Sequence, residues 1–170
     1  MSKAFTRESD DAPEPRPMPR LPTSLPPGTK NYLTSSGARR IQDELNQLAE
    51  IERPKISALP QNDETRQTLR ALDQKIFQLR QVIESAIITP PPEKPWEQVR
   101  FGATVTVRDS KGGEEIYRIV GVDETDIDRN WVSWLSPIAK ALLNARLDQR
   151  VRFKFPSGEE QLEIVRIAYE

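Results

Sequence analysis

The chain has 170 residues, of which 36% are hydrophobic and 30% charged, with 25 positive and 26 negative side chains. This length allows one ordinary domain or a small domain with an appendage, and the hydrophobic share is below that of a single compact globule. The net charge of −1 disfavours a general nucleic-acid coat protein. The absence of Cys and His excludes thiolate or imidazole zinc sites, cysteine nucleophiles and histidine-dependent triads.

Residues 1–33 contain seven prolines and few apolar side chains. Each proline fixes its own φ and lacks a donor, so we expect a disordered or polyproline-like tail here. The tail is interpreted either as a solvated tether or as a docking peptide. No apolar run reaches the roughly 18 residues of a membrane span, and the residues after Met1 lack a signal-peptide core. We therefore expect a cytoplasmic protein.

Residues 34–89 carry the spacing of two helices. The first apolar stripe is Ile41, Leu45, Leu48, Ile51 or Glu52, Ile56 and Leu59. Pro54 lies inside this pattern, and the sequence leaves open whether it kinks the helix. The second stripe has regular steps of three and four residues: Leu69, Leu72, Ile76, Leu79, Ile83 and Ala86.

A short polar turn at residues 61–64 joins the two stripes. The pattern therefore predicts an antiparallel coiled-coil hairpin of about 25 residues per helix, roughly 37 Å long. A dimeric coiled coil is the alternative for stripes this narrow, but the turn favours pairing within one chain and a monomer.

A proline-rich linker, residues 90–95, separates the hairpin from a small α+β domain at 96–170. Period-two alternation predicts strands near 99–108, 115–120, 131–135, 150–155 and 160–168. Ser136 followed by Pro137 predicts a helix start, with Ser at the N-cap. Arg150, Arg152 and Lys154 share one strand face, which we interpret as solvated rather than as a nucleic-acid surface.

The C-terminal segment resembles the Gre transcript-cleavage factors, the GreA/GreB family, and is closest to the GreB type. The resemblance is carried by Phe101-Gly102, the Tyr-Arg-Ile-Val-Gly run at 117–121, Asp123-Glu124, the Ser-Pro-Ile-Ala helix at 136–143, Pro-Ser-Gly-Glu at 156–159 and the end of the chain at 164–169. Ser36-Gly37, Glu44-Leu45 and Arg53-Pro54 extend it into the hairpin. It covers residues 31–170.

This resemblance implies an FKBP-like antiparallel sheet around one short helix. It implies binding to RNA polymerase at the rim of the secondary channel, through the stretch Leu135, Ser136 and Pro137. The hairpin would enter the channel, and acids at its tip would help to hold magnesium so that the polymerase cleaves backtracked RNA. The chain would then be an accessory factor rather than an enzyme. It would hold no metal of its own and meet nucleic acid only through the polymerase.

The tip departs from the family pattern. The Gly-Asp and Ser-Glu-Asn-Ala motif is absent, and the hairpin is about two heptads shorter in total than the resemblance implies. Asp63 and Glu64 are the acids that the tip offers in place of the motif. The alternative interpretation makes Asn62 or Asp63 a helix N-cap, with the remaining acid favoured by the helix dipole.

Three functions follow as hypotheses. The first is a cleavage-stimulating elongation factor, with Asp63 and Glu64 as its catalytic acids. The second is a short-hairpin regulator of the Rnk type, which binds the same channel without stimulating cleavage. The third is an FKBP-like prolyl isomerase, which rests on fold analogy alone.

Overall fold

The computed structural model describes residues 25–170. Most of the predicted tail over residues 1–33 therefore lies outside the described residues, and its role stays a prediction. No helix within the described range is both long and apolar enough to cross a membrane. The N-terminal half contains β1 (Asn31–Thr34), α1 (Ser35–Asn46), a π-helical stretch (Gln47–Glu52), α2 (Arg53–Ser57), α3 (Asp63–Ser85) and β2 (Ala86–Thr89).

The helices of the N-terminal half form the predicted antiparallel hairpin. Its two arms pack through apolar side chains near the base, where Ile41, Leu45, Ile76 and Leu79 are buried. The α3 arm has 23 residues, which corresponds to about 34 Å at about 1.5 Å per residue. Two ion pairs also link the arms: Lys75 with Glu44 at 3.4 Å, and Arg53 with Asp73 at 2.6 Å. The hydrogen bond from Arg53 lowers the pKa of the Asp73 carboxyl.

Pro54 does not end the first helical arm. The residues just before it, Gln47–Glu52, form a π-helical stretch, in which the Arg53 N–H donates to the carbonyl of Leu48 five residues earlier. This wider turn lies next to a proline that cannot donate a bond of its own. It also settles the ambiguity at residues 51 and 52: Ile51 is exposed, whereas Glu52 is partly buried.

Two short strands close the base of the hairpin, and the sequence pattern did not predict them. β1 and β2 pair in parallel, with Asn31 opposite Ala86 and Thr34 opposite Thr89. Because the two helical arms are antiparallel, parallel strands cannot both simply continue the helix axes, so the chain turns at the base of the hairpin. The helical arms are thereby tied together where they meet the C-terminal domain.

The C-terminal domain is built on a five-stranded sheet. Its strands are β3 (Thr104–Arg108), β4 (Glu114–Val120), β5 (Trp131–Ser133), β6 (Arg150–Phe155) and β7 (Gly158–Ala168), in the order β5-β4-β3-β7-β6. Three of the neighbouring pairs are antiparallel, and β4 with β5 is parallel. Helix α4 (Pro137–Leu142) covers the core face with Ile138, Ala139 and Leu142. The fold class is α+β, as predicted.

Two predicted strands are shorter than the alternation suggested. The strand expected over 99–108 begins only at Thr104, because Phe101 and Gly102 form a turn in which Gly102 takes a φ of +84°. The strand expected over 131–135 ends at Ser133. Its hydroxyl oxygen accepts the Leu135 N–H at 3.1 Å, which turns the chain toward α4.

The hairpin is fixed to the sheet domain through one buried carboxyl group. Glu124, in the single turn of 3-10 helix at Val122–Glu124, is only 2% exposed. Its Oε2 accepts the Thr34 N–H at 2.8 Å and the Gly121 N–H at 3.0 Å, and its Oε1 accepts the Thr34 hydroxyl. The same hydroxyl oxygen accepts the Gly37 N–H at 2.9 Å and so caps α1. We refer to this group of contacts as the Glu124 joint.

Glycines make room for the joint on both sides. A Cβ on Gly37 would lie 1.7 Å from Glu124 Oε1, and a Cβ on Gly121 would lie 2.1 Å from the carbonyl oxygen of Tyr32. Neither backbone could approach so closely with a larger residue. Two further contacts support the joint: Arg118 donates to the Ser36 hydroxyl at 2.9 Å, and the Tyr32 ring packs edge-on against Trp134 at 5.3 Å.

Gly37→Ala tests the joint, because helix propensity alone predicts a higher free energy of unfolding and the joint predicts a lower one. Alanine would stabilise an unconstrained helix by about 1 kcal/mol relative to glycine. Here the added Cβ must displace the Glu124 carboxyl from its buried donors, so we expect the free energy of unfolding to fall by about 1–3 kcal/mol. Urea unfolding followed by circular dichroism measures the change. Gly158→Ala is the matched control, because its Cβ would meet nothing closer than Phe155 at 3.7 Å. A stabilised Gly37→Ala variant would contradict the assignment.

Candidate functional site

The hairpin tip holds the two acids that the sequence singled out. Asp63 and Glu64 form the first turn of α3, and both are exposed. The Asp63 carboxylate is fully accessible, and the nearest cation is the Arg66 guanidinium at 3.8 Å. The tip therefore presents two carboxylates to the surroundings, at the end of the molecule farthest along the hairpin from the sheet domain.

Asn62 caps α3. Its side-chain oxygen accepts the Thr65 N–H at 2.8 Å, as the alternative interpretation of the tip allowed. Because Asn62 fills the capping position, neither Asp63 nor Glu64 is needed there. Their placement in the first turn still suits the positive end of the helix dipole, so the helix accommodates both acids without using their oxygen atoms.

The acids have the chemistry of ligands for a hard cation. Carboxylate oxygens are what magnesium prefers, and magnesium in proteins commonly keeps several of its waters. Within residues 25–170, no three acidic side chains come together as a metal site. The tip therefore offers two carboxylates, which is an incomplete set of ligands for such a cation.

The second predicted site, Leu135, Ser136 and Pro137, lies at the start of α4 on the sheet domain. Ser136 is 4% exposed, and its hydroxyl oxygen accepts the Ala139 N–H at 3.2 Å, so it serves as the helix N-cap. Leu135 is half-buried and Pro137 is exposed. Of the three, Pro137 and part of Leu135 are open to a partner. The structure places this site and the tip acids on different parts of the molecule.

The cations of β6 are paired with acids of the neighbouring strand. Arg150 lies 3.4 Å from Glu163, and both Arg152 and Lys154 lie within 3.8 Å of Glu159. These ion pairs are exposed and largely solvated, and the two acids offset most of the positive charge on the face that could have suited nucleic acid.

Sequence reasoning missed two groups of residues. One is the Glu124 joint, because an acid within an acidic loop is typical of a solvated turn. Its signal was the pair of glycines, Gly37 and Gly121, which lie in the matched motifs. The other is the set of arginines around Trp131. The indole rings of Trp131 and Trp134 are both partly buried.

The chain is similar to known transcription factors. The family model described as "Transcription elongation factor, GreA/GreB, C-term" matches residues 93–169. Transcription elongation factor GreB of Neisseria meningitidis serogroup A is 36% identical, and the match covers 95% of that protein and 83% of this chain. Transcription elongation factor GreA of Syntrophotalea carbinolica is 34% identical, and the match covers 96% of that protein and 81% of this chain. A solved GreA/GreB structure from Nitrosomonas europaea aligns with 82% of the chain at 22% identity and a TM-score of 0.42.

The alignment with the Neisseria protein has more positions than there are residues of this chain aligned in it, so some positions of that protein have no counterpart here. It extends over 155 positions but covers 83% of 170 residues. That share is about 141 residues, so about 14 positions have no counterpart here, which is the length of two heptads. A loss of one heptad from each arm would account for this number and would keep both apolar stripes and their pairing intact.

The capping role of Asn62 can be measured. We expect Asn62→Ala to lower the free energy of unfolding by about 1 kcal/mol, because the Thr65 N–H loses its acceptor. Asn62→Ser should restore most of this loss, since serine also accepts at an N-cap. Thermal unfolding of the three proteins makes the comparison. Equal stability of the alanine and serine variants would show that Asn62 does not cap the helix.

Proposed function

Because the chain belongs to the GreA/GreB family of transcription elongation factors, we propose that it binds RNA polymerase at the secondary channel and promotes cleavage of backtracked transcripts. The observation that carries the proposal is the pair of exposed carboxylates at the end of a hairpin that is fixed to a separate sheet domain. In this proposal the chain is an accessory factor, and the reaction takes place in the active site of the polymerase.

The two parts of the molecule have different tasks in this proposal. The sheet domain binds the rim of the channel through the surface around Pro137 and Leu135, while the hairpin extends into the channel. The Glu124 joint supports this division, because hydrogen bonds to both the backbone and the side chain of Thr34 fix where α1 begins. A rod that swivelled at its base could not bring two carboxylates to a defined place.

The role of the tip follows from its oxygen atoms. Asp63 and Glu64 would add carboxylate ligands to magnesium that the polymerase holds. The metal, when bound, supplies an activated water for hydrolysis of the RNA phosphodiester. The chain itself contributes orientation and charge: Asn62 leaves both acids free, and the helix holds them on one turn.

A cleavage assay on a stalled, backtracked polymerase complex tests the proposal. The unaltered chain should accelerate shortening of the RNA, and Asp63→Ala with Glu64→Ala should reduce that rate at least tenfold, because the tip then has no ligands for a cation. Asp43→Ala with Glu50→Ala is the matched control, since both acids are exposed on the hairpin away from its tip. Equal loss in the two double variants would show that the tip acids have no special role.

One observation favours a second function. If the deficit of about 14 aligned positions falls equally in the two arms, each arm is one heptad shorter, and a heptad of helix spans roughly 10 Å. Metal–oxygen bonds are about 2 Å long, so a tip displaced by this amount could not touch the magnesium. The chain would then occupy the channel without stimulating cleavage, and it would compete with longer factors of the same family.

Lengthening the hairpin separates the two functions. A variant that repeats residues 42–48 in the first arm and residues 72–78 in α3 adds one heptad to each arm. The two insertions lie opposite each other in the hairpin, as the ion pair between Glu44 and Lys75 indicates. If reach is limiting, this variant should cleave at least tenfold faster than the unaltered chain, because the tip advances by roughly 10 Å. The same lengthened chain with Asp63→Ala and Glu64→Ala is the control and should be inert. Equal rates for the lengthened and unaltered chains would show that the reach of the hairpin does not limit cleavage.

A further inference from the structure

Three guanidinium groups surround the indole of Trp131 on the outer side of the sheet. The Arg118 guanidinium lies 4.7 Å from the ring centroid, Arg40 lies 4.9 Å from it and Arg129 lies 5.3 Å from it. They come from β4, α1 and the loop before β5, so three separate elements converge on one edge strand. We call these four residues the Trp131 surface.

Arg118 is the fixed part of this surface. Its side chain is 7% exposed, and its guanidinium donates to Glu170 at 2.6 Å and to Ser36 at 2.9 Å. Arg40 and Arg129, in contrast, are exposed. The surface thus combines a half-buried aromatic ring and one buried cation with two exposed cations.

The charges of the surface are incompletely balanced. Glu170 pairs with Arg118, and Asp126 lies 3.4 Å from Arg129, whereas Arg40 forms no ion pair with any described residue. Cation–π attraction to the indole offsets part of the repulsion between the guanidinium groups. Since the chain as a whole carries a charge of −1, this local excess of positive charge is a specific feature that suits a carboxylate-bearing partner.

Aliphatic side chains border the cations. Ile116 precedes Arg118 by two residues on β4, which places both on the same face of the sheet, and it is 55% exposed. Ile127, in the loop that leads to Trp131, is 76% exposed. Exposed isoleucines beside an aromatic ring and arginines are typical of a protein interface. A nucleic acid would supply no aliphatic partner for them.

We propose that the Trp131 surface binds an acidic protein segment of RNA polymerase that also carries apolar side chains. This proposal rests on the proposed function, and it adds an anchor beyond the surface at Leu135 and Pro137. The partner's carboxylates pair with Arg40 and Arg129, and its apolar side chains cover Trp131, Ile116 and Ile127. The contact would hold the base of the hairpin while the tip lies in the channel.

Charge reversal tests the surface in the full chain. Arg40→Glu with Arg129→Glu should weaken binding to core RNA polymerase free of nucleic acid at least tenfold, since two attractive contacts become repulsive. Lys111→Glu with Arg146→Glu is the matched control, because both residues are exposed elsewhere on the sheet domain and the change in net charge is the same. That control should bind within twofold of the unaltered chain. Circular dichroism confirms that each variant is folded.

Three results would overturn the proposal, each in a distinguishable way. If the Arg40 and Arg129 variant binds core polymerase as the control does, the surface is not an interface, although the proposed function stands. If binding weakens only with elongation complexes and not with the nucleic-acid-free core, the partner is nucleic acid rather than an acidic protein segment. If the unaltered chain fails to bind core polymerase at all, the proposed function fails with it.

Discussion

The structure depends on the buried carboxyl group of Glu124. A carboxyl group withdrawn from water is stable only where donors surround it, and here those donors belong to both halves of the molecule: Gly121 in the sheet domain and Thr34 at the base of the hairpin. The Thr34 hydroxyl oxygen also accepts the Gly37 N–H and so caps α1. One group of hydrogen bonds thereby sets where the first helix begins and how it joins the domain.

Regular patterns in the sequence predicted the main elements. Steps of three and four residues gave the hairpin, and period-two alternation gave most of the sheet, because these features depend on which face of an element is apolar. The α+β class and the family were confirmed. The strands β1 and β2 were missed, since four residues are too few for a period. Glu124 was missed because its burial depends on Thr34, which lies 90 residues away in the sequence.

The sequence predicted where the tip acids lie in the fold, but not whether they can contact a cation held by a partner. The short polar turn placed Asp63 and Glu64 at the tip, and the structure has them there, next to the cap at Asn62. Whether these acids contact a cation depends on the length of the hairpin relative to a partner, which no pattern within one chain encodes. The Trp131 surface was equally hidden, because its arginines come together only through the pairing of β4 with β5 and the seating of α1.

The π-helical stretch at Gln47–Glu52 illustrates a second way in which a helical hairpin can vary, besides its length. Whole heptads change how far a coiled coil projects but leave the facing of its side chains almost unchanged. One additional residue instead turns the residues after it by about 100° around the helix axis. In this stretch Ile51 is exposed and Glu52 is partly buried. The length of a helical hairpin and the side chains that it presents can therefore be changed by two different kinds of insertion.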